Sequence, residues 1–536
     1  MTRICARFCL LSLLWLMTAG GCRQSSPQPD ARVATESSVL RIGLPTEPAH
    51  LVYMLRPDAW TFRLTANQLL EGLVRYDPRQ RRYVGVLAER WDWSKDFSEL
   101  TLHLRRGVRW HDGKLFSAED VRFTFDRLYD QRVDAASTRA AIAPIVADYR
   151  SVDAHTFLIR CKQRSSFFLQ ALASLMILPK HAMSQGDLNR HPLLRRPLGT
   201  GRYRFAEWLP GRQISLERNE RYWGQRASIR RVVWRIVRTP QLALQLARRG
   251  ELDFVPRLQP AQVETLTGDG TLRRAFARVE RLVPGTAFVV INTRRPLLAR
   301  SIVRRALAHS LDVERIVQQI MQGQAERVPS LYWPGDPDFD PAIKPPTYDP
   351  QLAARLFDQA GWKLSAGKRR HRDQPIELSL MVPSVSRSAL RWATLFQQSL
   401  AEQGIALEIR SLEWSTFLKR LQARDFDLAA LGMQIAGVST DLYLQLHSSQ
   451  ASDGQNYAGY RDQRVDRLLE AIRQLSGQQR KQAVAKLQRL LVEEMPLIPL
   501  FTLREIGALS RRFVAPTAES DAWYDIGRFR LRSAVR

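Results

Sequence analysis

The chain opens on a short, almost wholly apolar stretch behind two arginines, and this constrains everything that follows. Met1 to Gly21 opens with Arg3 and Arg7, continues through the almost wholly apolar stretch Phe8 to Met17, and ends on the small residues Thr18, Ala19, Gly20 and Gly21. These are the three parts of an export signal, and its apolar middle is too short for a retained membrane helix. No later segment approaches about 18 consecutive apolar residues. The body is therefore expected to be soluble and to build its own buried cores.

Cys22 follows the small residues directly and resembles the lipidated cysteine of a bacterial lipobox, although Ala19 stands where that motif usually has Leu. The resemblance implies removal of residues 1–21, lipid attachment at Cys22, and a protein anchored at the periplasmic or cell-surface side of a membrane. Residues 22–38, rich in Ser, Gln, Pro and Ala, then read as a flexible tether. With Cys5 and Cys9 removed, Cys161 is an unpaired thiol, so no disulfide is expected.

At 536 residues, 45% hydrophobic and 25% charged, the chain is too long for one core and too apolar for disorder. The net charge of +28 raises nucleic acid, anionic lipid or acidic ligands as partners. The arginines are scattered, however, and an exported protein does not meet the chromosome, so no nucleic-acid partner is expected. The dispersed histidines and cysteines lack metal-site spacing, and neither a metal nor a cofactor is expected. No nucleophile elbow, zinc-protease helix or phosphate-binding loop occurs, which argues against an enzyme.

Along the body, Val39 to Leu44 alternates like a half-buried strand stopped by Pro45. Asn67 to Val74 is read as a helix with its apolar face at Leu69, Leu70 and Leu73. Leu100 to Leu104 alternates, Gly107 to Trp110 continues it, and Asp112-Gly113 makes a turn. Ser117 caps a helix with Val121, Phe125 and Leu128 as its buried stripe. Later come the strand Tyr203 to Trp208, the apolar run Phe288 to Ile291 and the helix Ser301 to Ser310. The class is mixed α/β.

Several blocks in this order resemble the bacterial family 5 extracellular solute-binding proteins, the oligopeptide and dipeptide receptors of ABC importers. They are Glu71 to Pro78, Leu87 to Trp91, Leu104 to Lys114, Ala118 to Val121, Pro197 to Tyr203, Glu217 to Asn219, Tyr222 to Gly224, and Gly250 to Asp253. Asn292-Thr293, Val303 to Ala308, Tyr348 to Pro350 and Ala360 to Trp362 continue the series. Gly72, Gly107 and Gly113 read as turn glycines, and Trp91 and Trp110 as core aromatics, so these blocks mark the fold rather than the ligand site.

The resemblance implies a two-lobe periplasmic-binding-protein type II fold with an extra subdomain on the first lobe. Lobe I would comprise 39–72, 195–284 and 496–536, its subdomain 73–194, and lobe II 285–495, with hinges near Pro284-Gly285 and Pro496. Such a monomeric receptor would close on a small ligand, most simply a peptide, and deliver it to a permease and ATPase complex. A nickel chelate, opine or oligosaccharide is the alternative ligand, and a sensory lipoprotein without transport the alternative role.

Peptide receptors of this family hold the ligand's amino group with an aspartate in a Gly-Trp-x-x-Asp segment. Here Gly432 is followed by Met433 at the tryptophan position and by Ala436 at the aspartate position. Thr46, Glu47, Gln434, Ile435, Ala436, Gly437 and Asp441 are the candidate ligand-binding residues. Asp441 or Glu47 would replace the missing acid, or else the ligand lacks a free amine.

Overall fold

The computed structural model describes residues 38–55, 58–77, 80, 82–162, 165–435, 439–515 and 525–532. Strand β1 (Val39–Leu44) is the alternating run expected, with Leu40, Ile42 and Leu44 fully buried.

The helix expected over Asn67 to Val74 is not there. Helix α1 (Ala59–Thr65) precedes it, started by Asp58, whose side chain accepts from the N–H groups of Trp60 and Thr61. Asn67 then takes a left-handed φ of 57° and the chain turns. The reason is competition for backbone acceptors. The carbonyls of Gln68 and Leu69 accept from the N–H groups of Tyr203 and Gly201, at 2.9 and 3.1 Å. A helix would have used them for residues four positions ahead. Gly199 and Gly201 permit this approach, since a Cβ on either would overlap the carbonyl oxygen of Leu69 or Gln68. Leu69, Leu70 and Leu73 are buried as expected, through a turn instead of a helical stripe.

Strands β2 (Ala88–Trp93) and β3 (Glu99–Leu104), helix α2 (Ala118–Tyr129), strands β4 (Val146–Asp153) and β5 (Thr156–Cys161), and helix α3 (Phe168–Ser174) form a unit with its own four-stranded sheet, ordered β2-β3-β5-β4. Helix α2 starts as expected: Ser117 and Asp120 form a reciprocal capping box, and Val121, Phe125 and Leu128 are fully buried. Gly107 to Trp110 is not a strand but an approach to the Asp112-Gly113 turn, with one bridge between Arg109 and Leu115.

The rest of the chain builds one twelve-stranded sheet in two halves. The first half takes β1, β6 (Tyr203–Leu209), β7 (Gln213–Arg218), β8 (Arg231–Ile236), β9 (Phe254–Val255) and β10 (Phe276–Leu282). The second takes β11 (Gly285–Ile291), helix α4 (Ser301–His309), β12 (Glu377–Pro383), helix α5 (Arg387–Glu402), β13 (Ala406–Leu412), helix α6 (Trp414–Gln422), β14 (Leu428–Gln434), and helices α7 (Gln463–Gln474) and α8 (Gly477–Glu494). The long strand β15 (Leu497–Ser510) joins the halves, giving the order β13-β12-β14-β11-β15-β9-β1-β8-β7-β6, with β10 and the short strand Ala325–Arg327 also on β15. The second half is covered on both faces, which is why its strands read as continuous apolar runs. Val289 and Ile291 pack with Trp392 and Phe396 of α5, while Phe288 and Val290 pack with Phe417, Leu469 and Leu487 of α6 to α8.

Two adjacent strands carry the chain between the halves. β10 gives way to β11 at Val283-Pro284, where Val283 N–H donates to Leu503 O at 2.8 Å and Thr502 Oγ1 donates to Val283 O at 2.9 Å. Beside it, β15 exchanges β11 for β10 between Phe501 and Arg504. Pro496 precedes this crossing by one strand segment. Gly285, at φ 133°, must be glycine here, because a Cβ would strike the Met433 carbonyl across the β11–β14 pair.

Candidate ligand-binding site

The strand directions place the site. β1 runs parallel to β8 and β9 but opposite to β15, since β9 and β15 are antiparallel. Ile42 stands beside Phe254 and Phe254 beside Leu509, so the chain leaves β1 level with the middle of β15. In the second half β14 pairs antiparallel to β11, with Gln434 opposite Gly285, and parallel to β12. Its carboxyl end therefore also points at the middle of β15. The carboxyl ends of both half-sheets face each other across the crossing strands, which is where open α/β sheets bind ligands.

Thr46 and Glu47 leave the first half at this level, and Gln434 and Ile435 leave the second. Thr46 and Gln434 are exposed and Ile435 is half-buried, tied to the crossing by its N–H donating to Pro284 O at 3.1 Å. Ala436, Gly437 and Cys22 lie outside the described residues.

Both acids proposed as replacement anchors are already held by the protein. Glu47 accepts from Trp208 Nε1 at 2.9 Å and from Gly211 N–H at 3.1 Å. Partial burial raises its pKa, but these bonds, with Arg238 and Arg195 nearby, outweigh burial and lower it. Asp441 is gripped by Arg473, whose Nη2 and Nε donate to Oδ2 at 2.7 and 3.0 Å, and that guanidinium lies over the Tyr443 ring.

Sequence reasoning missed the groups that brace this region. Glu505, on β15, accepts through Oε2 from Arg63 of α1 and Arg281 of β10, each at 2.8 Å. Burial raises the Glu505 pKa, and the Arg281 and Arg63 charges outweigh it and lower it. In β14's following loop, Thr440 N–H donates to Asp336 Oδ2 at 2.6 Å and Asp338 N–H to Asp336 Oδ1 at 2.8 Å. Burial nevertheless raises Asp336 to about 6.

The subdomain reaches the same loop. The Gln170 side chain on α3 accepts from Ser439 N–H at 3.0 Å and donates to Ser439 O at 3.2 Å, imitating a backbone pair. Beside it, Ser166 Oγ donates to Ile472 O at 3.1 Å and accepts from Arg480 Nη1, while the Arg480 guanidinium covers the Phe167 ring. Arg480 offered one signal, a charge on the apolar stripe of α8 with Ala483, Val484 and Leu487. Gln170, Arg63 and Arg281 carried none.

Three of the blocks that carried the resemblance meet at Glu71. The buried Glu71 carboxylate accepts from Thr200 Oγ1, Tyr222 OH and Trp223 Nε1 at 2.9, 2.7 and 2.9 Å. Burial outweighs the three bonds, so its pKa is raised. Trp110 is buried as expected and Gly107 and Gly113 have positive φ, whereas Gly72 sits in an extended bridge to Met176. Cys161 is a buried free thiol. A groove of about 660 Å³ runs along β6, lined by Arg195, Arg196 and Phe205 to Pro210. Among the described residues no cluster of His, Cys, Asp or Glu is arranged to hold a metal, and no helix is long and apolar enough to cross a membrane.

This architecture defines a type II periplasmic binding protein. The family model "Bacterial extracellular solute-binding proteins, family 5 Middle" matches residues 82–455, more than half the chain, and the chain belongs to that family. It is 27% identical over 466 residues to di/tripeptide-binding protein 2 of Pseudomonas aeruginosa, covering 83% of this chain and 85% of that one. Among solved structures it resembles the oligopeptide-binding protein AppA of Bacillus subtilis with a nonapeptide (TM-score 0.71, 23% identity, 92% and 99% of the two chains). It equally resembles NikZ of Campylobacter jejuni with Ni(L-His) (TM-score 0.72, 22% identity, 92% and 99%). These relatives are binding proteins, not enzymes.

Proposed function

We propose that the protein is an extracytoplasmic receptor that captures a peptide between its two halves and delivers it to an ABC permease. The observation that carries this is the cleft itself. The facing carboxyl ends belong to two half-sheets between which the described chain passes through β10–β11 and β15. The halves can therefore rotate about these crossings without disturbing either core once side-chain bonds such as Gln170 to Ser439 release. A ligand touching both sides favours the closed state by its differential affinity, and no bond need be made or broken. An extended peptide can pair its backbone with the strand ends, as peptides do at exposed sheet edges. The di/tripeptide-binding relative supports this ligand class.

The lobes take the boundaries given above, except that the chain returns to the first lobe within β15 at Thr502-Leu503 and not at Pro496. Residues 1–21 act as a cleaved leader, and lipid on Cys22 holds a monomer at the membrane. Calorimetry tests the ligand: mixed di- to pentapeptides, free and N-acetylated, should release heat and a nickel–histidine chelate should not. Response to the chelate alone refutes the peptide reading. Globomycin-sensitive processing and loss of membrane fractionation in Cys22→Ala test the anchor.

A further inference from the structure

Resting on the peptide reading above, we infer that the cleft takes a peptide-like ligand bearing carboxylate groups and no free terminal ammonium.

The inference comes from what the carboxylates around the facing strand ends already do. Glu47 is occupied by Trp208 Nε1 and Gly211 N–H. Asp441 is gripped by Arg473 in a two-pronged pair. Glu505 is shared by Arg63 and Arg281. Asp336 is fully buried and holds the N–H groups of Thr440 and Asp338. These acids already serve the protein's own donors, so a ligand ammonium approaching any of them competes with those donors and gains less from the contact. Left without a carboxylate, it would be desolvated with no compensating charge.

The cations are disposed the other way. Arg238 lies 3.9 Å from Glu47 Oε2, and its side chain is 74% exposed. Arg195 is exposed and stacks its guanidinium over the Trp208 ring at 4.2 Å, and exposed Arg196 lines the same groove. Glu207, the acid that lines this groove, lies near Arg231 and accepts from Gln213. Trp208 thus presents one edge to Glu47 and one face to Arg195, fixing a planar donor fork beside Glu47, where the chain leaves β1. A guanidinium so held is preorganised for a carboxylate.

The test is calorimetry with three synthetic tripeptides: Ala-Glu-Ala with a free amine, its N-acetyl form, and N-acetyl-Ala-Lys-Ala. The N-acetyl glutamyl peptide should bind about tenfold tighter than either of the others. Arg195→Gln should weaken it about tenfold with an unchanged melting temperature, the scale of one lost charge-assisted bond. Tighter binding by the free-amine peptide, or by the lysyl peptide, overturns the inference and leaves the peptide reading standing. An unaltered Arg195→Gln affinity also overturns it. Silence from all three peptides overturns the peptide reading and this inference together.

Discussion

Replacing Glu505 by glutamine probes how the crossing strands are held. The carboxylate is only 12% exposed, and its partners Arg63 and Arg281 are 4% and 3% exposed. Glutamine keeps the shape but removes the charge that faces two guanidinium groups, one on β10 and one on α1. Removing one member of a buried ion pair costs about 3–5 kcal/mol, so Glu505→Gln should lose roughly that in urea unfolding. The triple replacement Arg63→Met, Arg281→Met, Glu505→Leu should recover most of it, because an apolar cluster carries no desolvation debt. The pH dependence follows from the lowered Glu505 pKa, whose ordinary value is 4.5. A lowered folded pKa adds stability that is present above the unfolded pKa and lost as pH falls through the folded one. The gap between wild type and Glu505→Gln should thus be flat from pH 7 to 5 and shrink below 4.5. A loss under about 1 kcal/mol, or a triple variant as unstable as the single one, refutes this account.

Asp336 should behave in the opposite sense. Its folded pKa of about 6 exceeds the ordinary 3.8, so its contribution is complete below 3.8 and lost as pH rises through 6; Asp336→Asn should remove that decline from a stability–pH profile. Gln170→Ala removes two bonds to Ser439 worth about 1 kcal/mol each, and should speed hydrogen exchange at Ser439 and Thr440 about tenfold or more while sparing β11. Glu71→Ala removes a buried acceptor from three donors, of which Thr200 is fully buried, and should cost about 2–3 kcal/mol, whereas Trp223→Phe should cost about 1, both read by urea unfolding. Gly199→Ala, which drives a Cβ into the Leu69 carbonyl, should cost about 2 kcal/mol or more through strain.

The region around Asn67 shows how local signals mislead. Leu69, Leu70 and Leu73 have helical spacing, and all three are buried. Their backbone, however, is claimed by a strand more than a hundred residues away, and no local pattern reports that. The capping box at Ser117 was legible because both partners lie within three residues. Three of the blocks that carried the resemblance meet at Glu71, which holds part of the first half together and leaves the ligand open.

Caps, turns, strand alternation and the order of the blocks are short-range properties, and by itself the sequence determined the mixed α/β class and the family from them. The pairing of Arg63 with Glu505 spans 442 positions, Gln170 with Ser439 spans 269, and Trp208 with Glu47 spans 161. Only the folded chain decides such contacts, because they depend on where distant strand ends converge. That decision changed the site: Glu47 and Asp441 were candidate anchors in the sequence, and in the structure their charges are already spoken for.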